Sequence, residues 1–232
     1  MRSEKFLIVL LVSVATLVAC SRSEPTAPPP AVSTPAPAEP PPPPVAEPAP
    51  TPLTHEQIAR LVRPHSPVFG LKNARVTVVE VLDPACEACK AFAPVVEQLL
   101  FLYPQDVRVV VRYADFHPVS LQSIRLLEAA RAQGKVHDVL SALFNRQQEW
   151  ASHTKPNPAQ AWVIASEAGL DMGRARKDAL AKSVDEMLNL EAKDLAVLKV
   201  ERTPTFFVNG KPLPTFGAEE LMQLVASEVQ NR

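Results

Sequence analysis

The 232-residue chain has almost no net charge: 24 basic side chains face 25 acidic ones, a formal balance of −1. That balance calls for neither nucleic acid nor an acidic substrate as a partner. Cysteine is scarce, with three residues at positions 20, 86 and 89, so one pair can form and one thiol is left over. The five histidines, His55, His65, His117, His137 and His153, stand singly without paired spacing. Structural zinc needs two ligands beyond a cysteine pair, so no metal site is read from these residues, and only His117, just before Pro118, merits a check. No heptad run or separate dimerisation region is visible, which makes a monomer the default. The apolar stretch at residues 6–18 is too short to span a bilayer comfortably.

That stretch follows Arg2 and Lys5, the layout of a secretory signal. It ends in Leu17-Val18-Ala19-Cys20, which resembles a bacterial lipobox. The resemblance implies a signal at 1–19 and a lipidated Cys20 that anchors the protein to a membrane of the bacterial cell envelope, facing the periplasm. Ser21 follows, not the aspartate that resembles an inner-membrane retention signal, so the outer membrane is preferred. Ordinary signal cleavage leaving a free Cys20 is the alternative.

Of the 25 prolines, 14 fall between Pro25 and Pro52. This segment has no aromatic and almost no large aliphatic residue, so it cannot bury a core. It reads as a disordered, proline-rich tether reaching on the order of 85 Å when extended. A proline-rich docking ligand is the other reading.

Cys86-Glu87-Ala88-Cys89 follows a strand-like run at 76–82 and opens a helical pattern reaching about residue 103. Three residues apart at a helix start, two sulfurs lie on one side of the first turn and can bridge. Unpaired N–H groups and the helix dipole stabilise a thiolate there, the species that attacks disulfides. Cys86 is expected as the exposed nucleophile and Cys89 as the shielded resolving thiol. Glu80, in the otherwise apolar strand, is expected beneath the dithiol as a proton relay for Cys89; a carboxylate at a strand edge is the alternative. Pro94 is expected to kink the helix or to end it.

The remaining pattern predicts a short helix from a capping box at Thr54-His55-Glu56-Gln57, a turn at 70–74, and a second strand at 107–113. Apolar stripes then predict helices around 121–134 and 136–144, and one from Asn157-Pro158 to Gly169. A short helix follows from Asp171, and another opens with a capping box at 183–186. A strand at 205–208, an Asn209-Gly210 hairpin, a return strand at 211–213 and a last helix close the chain.

Dithiol, preceding strand, Pro94 and Thr203-Pro204-Thr205-Phe206-Phe207-Val208-Asn209-Gly210 together resemble the thioredoxin superfamily, specifically its DsbA-like branch. The resemblance covers roughly residue 70 onward. It implies an α/β fold, a thioredoxin-like mixed sheet with a helical insertion at about 117–200. The domain division is then a signal at 1–19, the lipobox cysteine and linker at 20–53, a leading helix and turn at 54–69, and the thioredoxin-like domain at 70–232. It further implies that Pro204 is a cis-proline facing the dithiol, and that Thr203 pairs through its backbone with an extended substrate segment, beside Arg202, Glu87 and Ala88.

The implied activity is thiol:disulfide exchange with cysteine-containing exported proteins, an enzyme without metal or organic cofactor beyond the redox-active Cys86–Cys89 disulfide. Its implied partner is a membrane redox protein, a quinone-linked oxidase or an electron donor. Glu87 beside Cys86, and Asp83 near it, oppose a thiolate and so favour a less oxidising couple. Thr203 points towards isomerase or reductase relatives, and Arg202 stands where many relatives have glycine, which narrows peptide choice. Direction stays open between oxidase, reductase and isomerase. Two other readings compete: an envelope lipoprotein holding copper or zinc on Cys86 and Cys89, and a binding module that keeps the scaffold without catalysis.

Overall fold

A computed structural model describes residues 51–231. The expected signal at 1–19, the expected lipid-bearing Cys20 and the expected linker as far as residue 50 lie outside them, as does Arg232.

In chain order the elements are α1 (His55–Leu61), β1 (Val68–Gly70), β2 (Val76–Leu82), α2 (Glu87–Leu102) and β3 (Val107–Tyr113). Then come α3 (Ser120–Ala132), α4 (Val136–Asn145), α5 (Gln147–Trp150), α6 (Pro158–Glu167), α7 (Met172–Asp178) and α8 (Lys182–Leu198). The chain closes with β4 (Thr205–Val208), β5 (Lys211–Pro212) and α9 (Ala218–Gln230). The strands form one mixed sheet in the order β1-β3-β2-β4-β5. β2 and β3 run parallel, joined by α2, while the other three pairings are antiparallel.

Side chains alternate across the two faces of the central strands. Val76 and Val78 of β2 and Val107 and Val109 of β3 pack under Phe92, Val96 and Leu99 of α2 and Leu221 and Val225 of α9. On the opposite face, Val79, Val81 and Val110 meet Leu61 of α1 and Leu195 and Leu198 of α8. Both strands are buried on both sides, as their β-branched composition requires. Helices α3 to α7 build a further core that closes over the end of the sheet carrying the cysteines, centred on Ile124, Leu127, Leu143 and Trp150.

Four local expectations are corrected. Residues 68–70 form a strand, paired antiparallel to β3, rather than the end of a leading turn. Gly70 closes that strand at φ 85, where a Cβ would lie 2.8 Å from the Val107 carbonyl oxygen. The capping box at 183–186 does not form: α8 opens one residue before Ser183, with Ala181 as N-cap and no side-chain cap, because the turn after α7 already sets its start through Val184 N–H to the Ala181 carbonyl at 2.9 Å. The return strand stops at Pro212, although Leu213 N–H still reaches the Phe206 carbonyl at 3.2 Å. The short helix α5 has no counterpart in the sequence reading. Thr54 does cap α1, accepting from Gln57 N–H at 3.2 Å while Gln57 Oε1 accepts from Thr54 N–H at 3.0 Å. Helix α2 continues on both sides of Pro94.

The α1–α8 face holds one wholly buried arginine. Arg112 of β3 donates through Nε to both oxygens of Glu191 at 3.0 Å and through Nη2 to Asp194 at 2.9 Å. Its Nη1 serves the carbonyls of Arg60 and Leu61 at the end of α1. Arg60 and Arg63 add bonds to Asp194 at 2.9 and 2.7 Å. Burial alone would raise the Asp194 carboxyl, but the three guanidiniums hold it down to about 2. Removing Arg112 takes the wholly buried cation from two buried carboxylates and leaves them to the partly exposed Arg60, Arg63 and His65. Arg112→Leu is therefore expected to lower unfolding free energy in urea by about 3–5 kcal/mol, and replacing Glu191 and Asp194 by apolar residues as well is expected to recover most of that loss.

Candidate active site

β2 delivers the chain to the site, and a tight turn hands it to α2. Cys86 N–H donates to the Asp83 carbonyl at 3.0 Å, and Ala85 N–H to Asp83 Oδ1 at 2.8 Å. Cys86 is thereby the N-cap of α2, in extended conformation. Glu87, Ala88 and Cys89 form the first helical turn, so the N–H groups of Ala88 and Cys89 point back at the Cys86 sulfur as they would at a capping oxygen.

Both cysteines are free thiols. Its position at the helix entry predicts an exposed Cys86, yet only 7% of it is open to solvent, against none of Cys89. The cover comes from across the site. Cys86 Sγ lies 3.3 Å from the Thr203 carbonyl oxygen, to which the thiol donates. The Thr203–Pro204 bond is cis and Pro204 is buried.

The two thiols titrate far apart. Cys86 is lowered from 9.0 to about 5, first by the Cys89 thiol that hydrogen-bonds its thiolate, against burial, and then by the Thr203 side chain and the N–H groups of Cys89 and Ala88. Cys89 is pushed far up by burial, by its bond to Cys86 and by the charge of Glu80. One sulfur is a thiolate at neutral pH and its neighbour keeps its proton.

Glu80 lies on the α2 side of the sheet, paired in register with Val111 of β3 and Phe206 of β4. Burial raises its carboxyl from 4.5 to about 8. Below that pH it holds a proton within electrostatic reach of Cys89. Glu87 and Ala88 are exposed at the mouth. Arg202 is exposed at the rim, and its carbonyl accepts from the Thr205 hydroxyl at 2.7 Å.

The structure adds groups that the sequence reading did not assemble. Asp83 is completely buried and accepts from Phe116 N–H at 2.8 Å, from His117 N–H at 3.1 Å and from Ser120 Oγ. It also pairs with His117 Nδ1 at 2.9 Å. Burial disfavours the imidazolium, but the bond to Asp83 and the charges of Asp83, Cys86 and Glu87 outweigh it and raise the His117 pKa. Glu87 is paired with His153 at 2.8 Å. The two acidic groups thus each face an imidazole, and their opposition to a Cys86 thiolate is weaker than the isolated dipeptide suggests. Gln147 of α5, buried, donates to the carbonyls of Pro84 at 3.1 Å and Cys86 at 3.0 Å. Only a contact between α5 and the cysteine turn reveals this residue. The other histidines lie elsewhere, His65 on Glu191 and His137 on Glu97.

A mixed sheet with a Cys-X-X-Cys at the N-terminus of its crossover helix, facing a cis-proline loop, defines a thioredoxin-like protein with a thiol–disulfide oxidoreductase site. The family profile described as Thioredoxin matches residues 63–226, and the chain belongs to that family. It is similar to a thioredoxin-like oxidoreductase from Silicibacter pomeroyi, 26% identical, with a TM-score of 0.65 over 78% of this chain and 99% of that one. It shares its fold with α-DsbA1 of Wolbachia pipientis, 16% identical, with a TM-score of 0.66 over 75% of this chain and 96% of that one. A Na(+)/H(+) antiporter NhaA 3 from Salinispora tropica is 34% identical over 149 residues, which are 62% of this chain and 22% of the antiporter. The chain thus spans about a fifth of that relative. Among the described residues no helix is long and apolar enough to cross a membrane.

Two pH dependences follow. Thiolate absorbance of the reduced protein is expected to rise with a midpoint near pH 5, to level off within about two pH units and to stay flat to pH 8, and a midpoint above 8 would remove the claimed role of the helix N-terminus. Glu80 has a raised folded-state pKa, so its stabilising effect is complete below pH 4.5 and lost as pH rises to 8. Glu80→Gln should therefore gain stability over the wild type across that window, by a few kcal/mol at about pH 8, as read in urea titrations at several pH values.

Proposed function

We propose that this domain exchanges disulfides with the cysteines of exported proteins in the bacterial envelope, in the oxidising direction. The observation that carries this reading is the placement of Cys86. It sits at the N-cap of α2, under the Thr203 carbonyl, with Cys89 buried one turn behind.

Oxidation starts from the Cys86–Cys89 disulfide. A substrate thiolate attacks Cys86 Sγ, the Cys86–Cys89 bond breaks, and Cys89 leaves with the electron pair. Its high proton affinity means that it is protonated at once, and Glu80, still an acid below about pH 8, supplies that proton. The second substrate cysteine then attacks the substrate sulfur of the mixed disulfide and releases Cys86 as a thiolate. The substrate has lost two electrons and the site holds a dithiol. A membrane partner, of the quinone-linked type, takes those electrons and restores the disulfide.

Thiolate stabilisation supports this direction. At pH 7 Cys86 lies about two pH units above its folded-state pKa, which favours the reduced form by about 3 kcal/mol, or roughly 60 mV towards oxidising power. The pairing of Glu87 with His153 and of Asp83 with His117 supports the same direction. The backbone of Thr203, beside the exposed Glu87, Ala88 and Arg202, offers an extended substrate segment a docking edge. Cys20 as a lipid anchor, with residues 20–53 as a tether and the outer membrane as its site, completes the reading. It is supported by the lipobox-like Leu17-Val18-Ala19-Cys20.

Equilibration with glutathione measures the reduction potential. It is expected on the oxidising side of about −200 mV, with a pH slope of about −30 mV per unit between pH 5 and 7.5 and about twice that below pH 5. A slope change follows because one proton accompanies the two electrons above the Cys86 pKa, and two below it. A potential near the thioredoxin value of about −270 mV would assign the reducing direction.

A further inference from the structure

We propose that Glu87, His117 and His153 form a binding site for a divalent cation of the zinc class at the mouth of the dithiol. One ligand atom from each lies within 4.8 Å of the other two. The residues come from three separate segments: the first turn of α2, the loop before α3 and the loop after α5. Folding brings them together. His153 Nε2 stands 2.8 Å from Glu87 Oε1, and the two imidazole rings lie 5.8 Å apart at 59°.

The orientation of His117 distinguishes this cluster from an ordinary surface ion pair. Its Nδ1 faces Asp83 Oδ2 at 2.9 Å, so in the neutral imidazole Nδ1 carries the hydrogen and the lone pair of Nε2 is left for a ligand, which displaces the second proton of the imidazolium when it binds. A carboxylate behind an imidazole is the arrangement that fixes the tautomer and orientation of metal-bound histidines. Asp83 cannot turn away, because Ala85, Phe116, Ser120 and the His117 backbone also donate to it. The other two side chains are half open to solvent, 46% for Glu87 and 63% for His153. They are free to close the cluster onto bonds of about 2.0–2.2 Å.

The donor set selects the cation. Two imidazoles and one carboxylate suit a borderline divalent metal, are too nitrogen-rich for calcium or magnesium, and lack the thiolates that copper(I) prefers. Three protein ligands leave a fourth position open, as in zinc sites that exchange a water. Glu87 directly follows Cys86, so a bound cation and an incoming disulfide compete for the same mouth. The site stands independently of the direction of thiol exchange, since none of its three ligands is a cysteine.

The test uses the full chain with the Cys86–Cys89 disulfide formed and Cys20 alkylated, so that no thiolate can bind metal. Zn2+ is titrated in competition with a chromophoric chelator. One equivalent is expected to bind, with affinity falling more than about tenfold in His153→Ala and in His117→Ala. Cobalt in the unsubstituted protein provides the check that needs no variant, by shifting the imidazole proton resonances of His117 and His153 far outside their ordinary range. In the reduced protein, Zn2+ is expected to slow the reaction of Cys86 with a small disulfide, and to do so less in His153→Ala. Absence of stoichiometric binding to the oxidised chain overturns the site and leaves a plain ion pair. So does cobalt shifting only His55, His65 or His137.

Discussion

Asp83 accepts five hydrogen bonds without any contact with water, and the two ends of the βαβ unit meet on it. One oxygen shapes the turn that makes Cys86 an N-cap, and the other gathers the loop leaving β3. A buried carboxylate is tolerable only when its lone pairs are filled. The loop after β3 must therefore come to the cysteine turn, bringing His117 and the start of the helical insertion with it. Gln147 works from the other side, holding the carbonyls of Pro84 and Cys86. The first turn of α2 is thus fixed by side chains from two distant segments, and its N–H groups stay aimed at a single sulfur.

Two opposite uses of burial then create the site's asymmetry. Cys86 is covered but lies among donors, so its thiolate is favoured. Cys89 and Glu80 are covered among apolar side chains, so both keep their protons. A single helical turn separates the two sulfurs, and the difference in their surroundings gives each a different role in exchange.

Much of this was legible in the chain. The β-branched runs at 76–82 and 107–113, the dithiol at a helix start, the carboxylate six residues upstream and the Asn209-Gly210 hairpin each have a local cause, and each stands in the structure within a residue or so of its expected place. What was hidden depends on pairs far apart in sequence. Arg112 interrupts an apolar run, and its partners Glu191 and Asp194 lie 79 and 82 residues further on. His153 finds Glu87, and His117 finds Asp83, only after the insertion folds back. Glu87 and Asp83 therefore read as uncompensated charge until their imidazoles are placed. Strand β1 is silent in the sequence because three residues ending in glycine carry too little pattern to declare themselves.

The ionic cluster around Arg112 also determines how the domain responds to force. Tension on the chain ahead of Thr54 enters through α1, a helix of seven residues that could peel from the surface on its own. The helix, however, is fastened to β3 where the Arg112 guanidinium holds the Leu61 carbonyl and to α8 through Gln57 and Arg60, and Arg63, just past its end, adds a further bond to Asp194. A pull at that end is thus spread over a central strand and a long helix at once. The cysteines lie on the far side of that anchorage, in the core built by α3 to α7. A domain built this way can be dragged by one end while its reactive sulfurs keep their spacing.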